Sequence, residues 1–307
     1  MSVESIAVIG LGNMGAPIAR NLLASEFSLS VFNRSRGKAE PLAVLGARAA
    51  DSPAQAVTPG GVVVTVLSND AVLEASVLGE GGFADRLGAG GLHISMSTVS
   101  PETSKRLAAE HARRGSLFVA APMFGRPDAA AARKLHICAS GAAEAKARAW
   151  PILEALGQRV QDFGEGPGQA NIVKLSGNFM IASAIEAMAE AMALCEKSGI
   201  ERSAVYDFFT KANFACPVYQ SYGRVLVGRT YEPAGFLLEL GRKDMRLARE
   251  SAAAVGVPMP LADLLFLRLE DAVKRGRGQL DWSAIELATA EAAGIDVAKA
   301  EVQRTED

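Results

Sequence analysis

Short apolar runs alternate with longer amphipathic stretches over the first half of the chain. Most of the runs are rich in Val, Ile and Leu and have the length of buried strands. Strands are predicted at 6–9, 29–33, 62–67, 92–95, 117–120, 135–139 and 159–162. Amphipathic helical patterns, such as 101–114 and 142–156, separate several of them. Strands that alternate with helices are typical of βαβ units, so this half is predicted to form a parallel sheet.

The pattern changes after Phe163, where Gly164-Glu-Gly-Pro-Gly168 interrupts it. No convincing strand follows, and the spacing predicts helices over 169–197, 202–211, 218–227, 237–254, 261–274 and 283–293. Ser198-Gly199 should end the first of these helices as a C-cap does. We therefore predict an α/β fold, with a Rossmann-type doubly wound sheet at 1–164 and an all-α domain at 165–307 joined by a long helix. The polar end, 299–307, is expected to fray.

Composition narrows the classes of function. A length of 307 residues suits about two domains, and a formal net charge of -2 offers no basic surface for nucleic acid. Three widely spaced cysteines and three histidines without ligand spacing predict neither a disulfide framework nor a metal site. The cysteines are interpreted as small core residues. Because the run at 6–9 is too short for a signal peptide or a membrane span, a cytoplasmic protein is expected.

A glycine-rich turn follows the first predicted strand. The segment Gly10-Leu-Gly12-Asn13-Met14-Gly15 has the form GxGxxG and opens a predicted helix that runs to residue 23. Gly10 permits a tight turn, Gly12 lets the backbone approach a pyrophosphate, and Gly15 allows close packing of helix on strand. The helix N-terminus adds positive potential for the phosphates. This context predicts a dinucleotide site that includes Asn13 and Met14, the alternative being a glycine-rich turn of another α/β fold.

Cofactor preference is determined at the end of the second predicted strand, where an acidic side chain would bind the ribose hydroxyls of NAD. Here the segment is Asn33-Arg34-Ser35, without an acid. The Arg34 guanidinium can pair with a 2′-phosphate, and Asn33 and Ser35 can donate hydrogen bonds to it. NADP(H) is therefore predicted over NAD(H). The alternative is that Arg34 is a solvated loop charge.

Over nearly its whole length the chain resembles the β-hydroxyacid dehydrogenase family, which includes 3-hydroxyisobutyrate dehydrogenases and glyoxylate or succinic semialdehyde reductases. The resemblance rests on four blocks in the expected order: Gly10-Leu-Gly-Asn-Met-Gly15, Ser97-Thr-Val-Ser-Pro101, Gly168-Gln-Ala-Asn-Ile-Val-Lys174 with Asn178, and Lys243-Asp244-Met-Arg-Leu-Ala248. Only the first is specific by itself. The resemblance implies hydride transfer between a nicotinamide and the C=O or CH–OH of a small hydroxy acid or semialdehyde.

A carbonyl reductase needs a proton donor beside the reacting oxygen. With no metal or suited histidine predicted, a lysine ammonium is the natural candidate. Lys174 and Asn178 lie one turn apart on a predicted helix and share a face. The resemblance implies that Lys174 is the general acid in reduction, or the base in oxidation, and that Asn178 helps to hold the lysine or the substrate. From the sequence alone, a solvated helix lysine is the commoner interpretation.

Residues at the carboxyl ends of strands receive further predicted roles, because Rossmann folds bind their ligands at that edge. Leu67 and Ser68 are predicted to contact the cofactor, and the hydroxyls of Ser97 and Thr98 to serve the substrate or the nicotinamide. The alternative for 98–100 is a helix N-cap in front of Pro101, and both roles can coexist.

The helical half also receives roles from the resemblance. It implies that Phe236 lies near the active site and that Lys243 and Asp244 flank the cofactor end, with Lys243 on the cofactor and Asp244 on the substrate. A buried phenylalanine and an exposed Lys-Asp pair are the alternatives.

One block departs from the family pattern, and it is the block that binds the substrate. The family's Ala-Pro-Val-Ser-Gly-Gly, whose serine and glycine amides bind a carboxylate, appears here as Ala121-Pro122-Met-Phe124-Gly125-Arg126. Phe124 would make the pocket more apolar, while Arg126 can take a carboxylate through a bidentate pair. A substrate bulkier or less polar than those of the family's usual members is therefore expected.

Two other functions stay open. Relatives on this architecture reduce C=N bonds, but the resemblance implies that they typically lack the catalytic lysine, so Lys174 favours C=O reduction. A non-catalytic NADP-binding scaffold is the other alternative, and Lys174, Asn178 and Lys243 argue against it. Because a small helical domain must cover its apolar faces, a homodimer or homotetramer through that domain is expected, with a small-molecule substrate and no membrane partner.

Overall fold

The computed structural model describes residues 4–297, so the expectation for 299–307 lies outside the described residues. The chain forms two compact units, of which the first ends at Lys174 and the second begins at Leu175. The first unit is α/β, and the regular elements in the described part of the second are helices. These observations confirm the predicted fold class. The domain boundary proposed after residue 164 stays a prediction.

The first unit is built on a parallel sheet. Its elements in chain order are β1 (Ser5–Ile9), α1 (Gly15–Ala24), β2 (Ser28–Phe32), α2 (Glu40–Val44), β3 (Arg48–Ala49), α3 (Pro53–Ala56), β4 (Val62–Thr65), α4 (Asp70–Leu78), α5 (Ala84–Leu87), β5 (Leu92–Ser95), α6 (Pro101–Arg113) and β6 (Leu117–Ala120). The strand order is β3-β2-β1-β4-β5-β6, with every neighbouring pair parallel. The order reverses between β1 and β4, and such a reversal creates a ligand-binding crevice at the carboxyl ends of the strands.

Helices cover both faces of this sheet, which explains why β1 is apolar from Ile6 to Ile9. Along β1, Ile6 and Val8 belong to one buried cluster, whereas Ala7 and Ile9 belong to the cluster on the opposite face. Alternate side chains of a strand point to opposite faces, so a strand covered on both faces is mostly apolar.

The strands predicted at 135–139 and 159–162 are present, but they do not extend the parallel sheet. The first unit continues with β7 (Met123–Phe124), α7 (Pro127–Ala131), β8 (Leu135–Ala139), α8 (Ala143–Glu154) and β9 (Gly157–Asp162). β8 pairs antiparallel with β7 and parallel with β9, giving a separate three-stranded sheet. The prediction of one sheet was wrong because apolar periodicity identifies an extended segment and not its pairing partner.

The second unit begins inside the longest helix. Its helices are α9 (Gln169–Lys197), shared with the first unit, α10 (Arg202–Lys211), α11 (Pro217–Gly228), α12 (Leu238–Ala254), α13 (Pro260–Lys274) and α14 (Glu286–Ala292). Gly199 follows α9 with a φ of +79°, as the predicted C-cap requires. The helix predicted over 283–293 is divided into a 3₁₀ helix, Trp282–Ile285, and α14. α9 is long and apolar enough to cross a membrane, by length and composition only. Core helices of soluble proteins share these properties, and 50% of the most apolar stretch of α9 is buried in the protein.

A buried network of charges holds four segments of the second unit together. Glu286, fully buried at the start of α14, accepts a hydrogen bond from the Tyr231 hydroxyl at 2.5 Å and lies 2.5 Å from an Arg202 nitrogen. Glu196 pairs with Arg202 at 2.9 Å and with Arg229 at 2.7 Å. Burial alone would raise the pKa of Glu196, but the hydrogen bonds from the two arginines lower it overall. Each charged side chain in this network therefore has an opposite charge beside it.

Two histidines form a buried chain of hydrogen bonds that the sequence did not indicate. The ring of His93 lies 2.9 Å from the Thr65 hydroxyl and 2.9 Å from the ring of His111, which in turn lies 2.9 Å from the Ser116 hydroxyl. Burial lowers the pKa of His93 well below its usual range and that of His111 to about 4. Both rings are consequently neutral at pH 7 and serve the core of the first unit.

The interpretation of the cysteines as core residues holds for only one of them. Cys138 is buried, whereas Cys195 is half-buried and Cys216 is exposed. Isolated cysteines carry no periodic signal of burial, so spacing alone could not separate the three.

Candidate active site

The turn after β1 has the geometry that its glycines predict. Gly10 has a φ of +97°, and a Cβ atom there would lie 2.3 Å from the Val66 carbonyl oxygen. A Cβ on Gly15 would lie 1.9 Å from the Gly10 oxygen, whereas one on Gly12 would meet nothing within 4 Å. Packing therefore requires glycine at positions 10 and 15. Gly12 instead borders open space, as a residue whose backbone approaches a ligand must.

Asn13 and Met14 complete this turn. Asn13 is exposed and Met14 half-buried, and Met14 occupies the N-cap position of α1 without a side-chain hydrogen bond to the helix. The first backbone N–H groups of an uncapped helix are the groups that bind a phosphate in dinucleotide sites.

Asn33 ties the glycine turn to the end of β2. Its Oδ1 accepts a hydrogen bond from the Leu11 N–H at 2.9 Å, and its Nδ2 donates to the Ser35 carbonyl oxygen at 3.1 Å. The side chain predicted to contact the cofactor thus also shapes the loop that presents Arg34 and Ser35, both of which are exposed.

Arg34 differs from the arginine two residues later. Arg36 forms an ion pair with Asp51 at 3.0 Å. Within 4–297, no carboxylate lies at ion-pair distance from Arg34. The guanidinium of Arg34 is therefore available for an anion at the end of β2.

Ser97 is buried between the ends of two strands, which the sequence did not reveal. Its Oγ accepts a hydrogen bond from the Leu67 N–H at 2.9 Å and lies 3.5 Å from the Thr65 carbonyl oxygen. This hydroxyl joins the carboxyl ends of β4 and β5, a structural role beside the predicted role in substrate binding. Ser68 is exposed and Thr98 half-buried at the same edge.

For residues 98–100 the alternative interpretation was a helix N-cap, and it is correct for Ser100. The Ser100 hydroxyl accepts a hydrogen bond from the Thr103 N–H at 3.0 Å at the start of α6. Ser100 therefore caps the helix, and the cap leaves the predicted role of Thr98 open.

Lys174 is buried where the sequence alone favoured a solvated side chain. Lys174 is 8% exposed, and its Nζ lies 4.2 Å from the centroid of the Phe124 ring. Burial raises the pKa of the nearby Cys138 thiol, and the charge of Lys174 opposes that rise. The structure thus joins residues from two separate blocks of the sequence, the candidate acid and the altered substrate block.

The rest of the altered block forms a tight turn. Gly125 has a φ of +141°, and a Cβ there would lie 2.7 Å from a methyl group of Leu135. Arg126 is half-buried at the N-cap position of α7. The glycine that this chain keeps is therefore required by the turn between β7 and α7.

In the second unit, three of the predicted residues lie together. Asn178 Nδ2 donates to Asp244 Oδ2 at 2.5 Å, and Lys243 Nζ lies 3.1 Å from Asp244 Oδ1. Asp244 is fully buried, so the alternative of an exposed Lys-Asp pair is wrong. Phe236 packs edge-on against Trp282, with ring centroids 4.8 Å apart.

Two family models together match most of the chain. Residues 5–164 match the NAD binding domain of 6-phosphogluconate dehydrogenase. Residues 168–289 match the NAD-binding domain of NADP-dependent 3-hydroxyisobutyrate dehydrogenase.

Individual proteins are similar over nearly the same length. The oxidoreductase YfjR of Bacillus subtilis is 45% identical, over 91% of this chain and 98% of its own. The 3-sulfolactaldehyde reductase of Escherichia coli is 34% identical, over 92% and 95%. Among solved structures, the 3-hydroxyisobutyrate dehydrogenase of Salmonella typhimurium superimposes with a TM-score of 0.84 at 27% identity, covering 93% of this chain and 99% of that one.

Proposed function

Since this chain belongs to the β-hydroxyacid dehydrogenase family and is an NAD(P)-dependent oxidoreductase, we propose that it reduces an aldehyde or keto group on a small acid with NADPH. Lys174 is the general acid in this proposal, and it is the base when the reaction runs towards the ketone or aldehyde. The buried ammonium of Lys174 beside Phe124 is the observation that carries the proposal.

The residues around β1 and β2 suit a phosphorylated dinucleotide. The open space at Gly12 admits a pyrophosphate to the backbone, and Gly10 and Gly15 keep the turn tight. Arg34, exposed and without a carboxylate partner in the described part of the chain, suits a 2′-phosphate. When bound, NADPH would supply the hydride.

The surroundings of Lys174 support its role as a proton donor. Burying an ammonium costs free energy, so a buried lysine is a candidate functional residue. In reduction, Nζ would give its proton to the carbonyl oxygen while hydride reaches the carbon. Asn178, one turn further along α9 and on the same side of that helix, is proposed to hold the substrate or the lysine. The roles implied for Phe236, Lys243 and Asp244 stay predictions.

A substrate panel tests the reaction and the substrate class together. Aldehydes, keto acids and cyclic imines are compared by the consumption of NADPH. Because Phe124 replaces the serine of the family pattern, we expect carbonyl compounds with a bulkier or less polar side to react with higher kcat/KM than glyoxylate. A preference for glyoxylate and short semialdehydes would overturn the substrate class, and turnover of imines alone would overturn carbonyl reduction.

The cofactor preference is tested by Arg34→Ala. Loss of a bidentate charge-assisted contact is expected to raise the KM for NADPH about 10- to 100-fold, with little change for NADH. The matched control is Arg159→Ala, which removes an exposed arginine from β9 in the other sheet. Equal effects of Arg34→Ala on both coenzymes would contradict the assignment.

A further inference from the structure

We propose that Phe124 is a positioning residue for Lys174, whose ammonium group it holds against the face of its ring in the place from which the proton is given. This inference rests on the proposed function and adds a residue to it. A serine at position 124, as in the family pattern, could not have this role, because a hydroxyl has no aromatic face.

The ring of Phe124 is itself held by its surroundings. β7 pairs with β8 in a fixed register, with Phe124 opposite His136. Phe124 and Val173 pack against a buried cluster that includes Cys138 and Ala170. The residues Ala170, Val173 and Lys174 belong to the first turns of α9. The ring thus packs against the same buried cluster as the helical segment that carries the lysine, and it contacts Lys174 directly.

The distance and burial favour an attractive contact. An aromatic face carries partial negative charge and attracts a cation within about 6 Å of its centroid, and Nζ of Lys174 lies at 4.2 Å. The attraction is stronger where water is excluded, and Lys174 is 8% exposed. Burial raises the pKa of the nearby Cys138 thiol, although the charge of Lys174 opposes that rise, so the thiol stays neutral. The thiol therefore supplies no counter-charge in place of the ring.

Two consequences follow for the lysine. The contact restricts a long flexible side chain to one arrangement, so less entropy is lost when the reacting groups meet. It also stabilises the ammonium form over the neutral amine, and only the ammonium form can donate the proton.

The test compares Phe124→Leu, which keeps apolar bulk without a ring face, with Phe124→Tyr, which keeps the ring. The first readout is the rate at which trinitrobenzenesulfonate modifies residue 174, followed by peptide mass spectrometry at several pH values without substrate. We expect the leucine variant to be modified about tenfold faster at a given pH below the titration midpoint. The tyrosine variant should behave like the unaltered protein.

The second readout is the single-turnover rate with NADPH and saturating substrate. In Phe124→Leu the rate should fall about tenfold, and its decline at high pH should begin about one pH unit lower, while Phe124→Tyr restores both. Phe124→Met is the second variant of the same kind, should the leucine variant fail to fold.

The possible failures can be told apart. Equal modification rates in Phe124→Leu and the unaltered protein, together with an inactive Lys174→Met enzyme, would overturn the positioning role alone. A Lys174→Met enzyme that still transfers hydride would overturn the proposed function and, with it, the purpose of the contact.

Discussion

Replacing Lys174 with methionine is expected to slow hydride transfer about 10²- to 10⁴-fold, the usual contribution of a general acid. Methionine fills a similar volume without an amine, so the change removes the proposed proton donor and leaves the packing around residue 174 nearly intact. Single-turnover consumption of NADPH measures the effect, and nicotinamide fluorescence measures coenzyme binding. Binding should stay close to that of the unaltered enzyme because the glycine turn and Arg34 are unchanged.

The matched control for this variant is Lys197→Met. Lys197 is exposed in the last turn of the same helix, so its loss removes a lysine from α9 without touching the buried cluster. This control should keep the normal rate. If Lys174→Met transferred hydride as fast as Lys197→Met, the account of proton transfer would be wrong.

Glu286→Ala is expected to destabilise the second unit by about 3 kcal/mol, because it removes a fully buried carboxylate from the Tyr231 hydroxyl and leaves Arg202 and Arg229 to share the carboxylate of Glu196. Arg202 and the Tyr231 hydroxyl both lie 2.5 Å from Glu286 in the unaltered protein, and Arg229 lies at 3.4 Å. The fluorescence of Trp282, buried in the core of this unit, reports its unfolding in urea. The chain has two tryptophans, so a Trp150→Phe background isolates the signal.

Glu291→Ala provides the comparison. Glu291 lies on the same helix but is exposed, and it pairs with the exposed Arg275 and the half-buried Arg277. Pairs with an exposed partner contribute at most about 1 kcal/mol. A loss of stability in Glu286→Ala no larger than that in Glu291→Ala would show that the network contributes little.

Local signals in the sequence predicted the elements best. β5, β6, β8 and α10 have the bounds that their periodicity predicts, since burial of one or both faces determines which positions are apolar. Short elements such as β3 and β7 were missed because two residues carry no periodicity. The division into two sheets was missed because pairing partners are distant in sequence.

In the candidate site, too, local features could be predicted from the sequence but contacts between distant residues could not. The GxGxxG turn could be located because glycine is required there by a positive φ and by close packing. The contact between Phe124 and Lys174 joins positions from different elements, and neither position indicates the other. Burial of Ser97 and Asp244 was equally hidden, because an isolated polar residue appears solvated until its partners are known. The cytoplasmic location and the homo-oligomer stay predictions.

The short ladder between β7 and β8 has a consequence for how this enzyme could change its chemistry. Side chains alternate along a strand, so a slip of one residue would turn every side chain of β7 to the opposite face. Phe124, now opposite His136, would leave the lysine, and Met123 would take its side of the sheet. The connection between the two strands, including α7, therefore determines which side chain meets Lys174. A change in its length could alter selectivity without any substitution at Phe124 or Lys174.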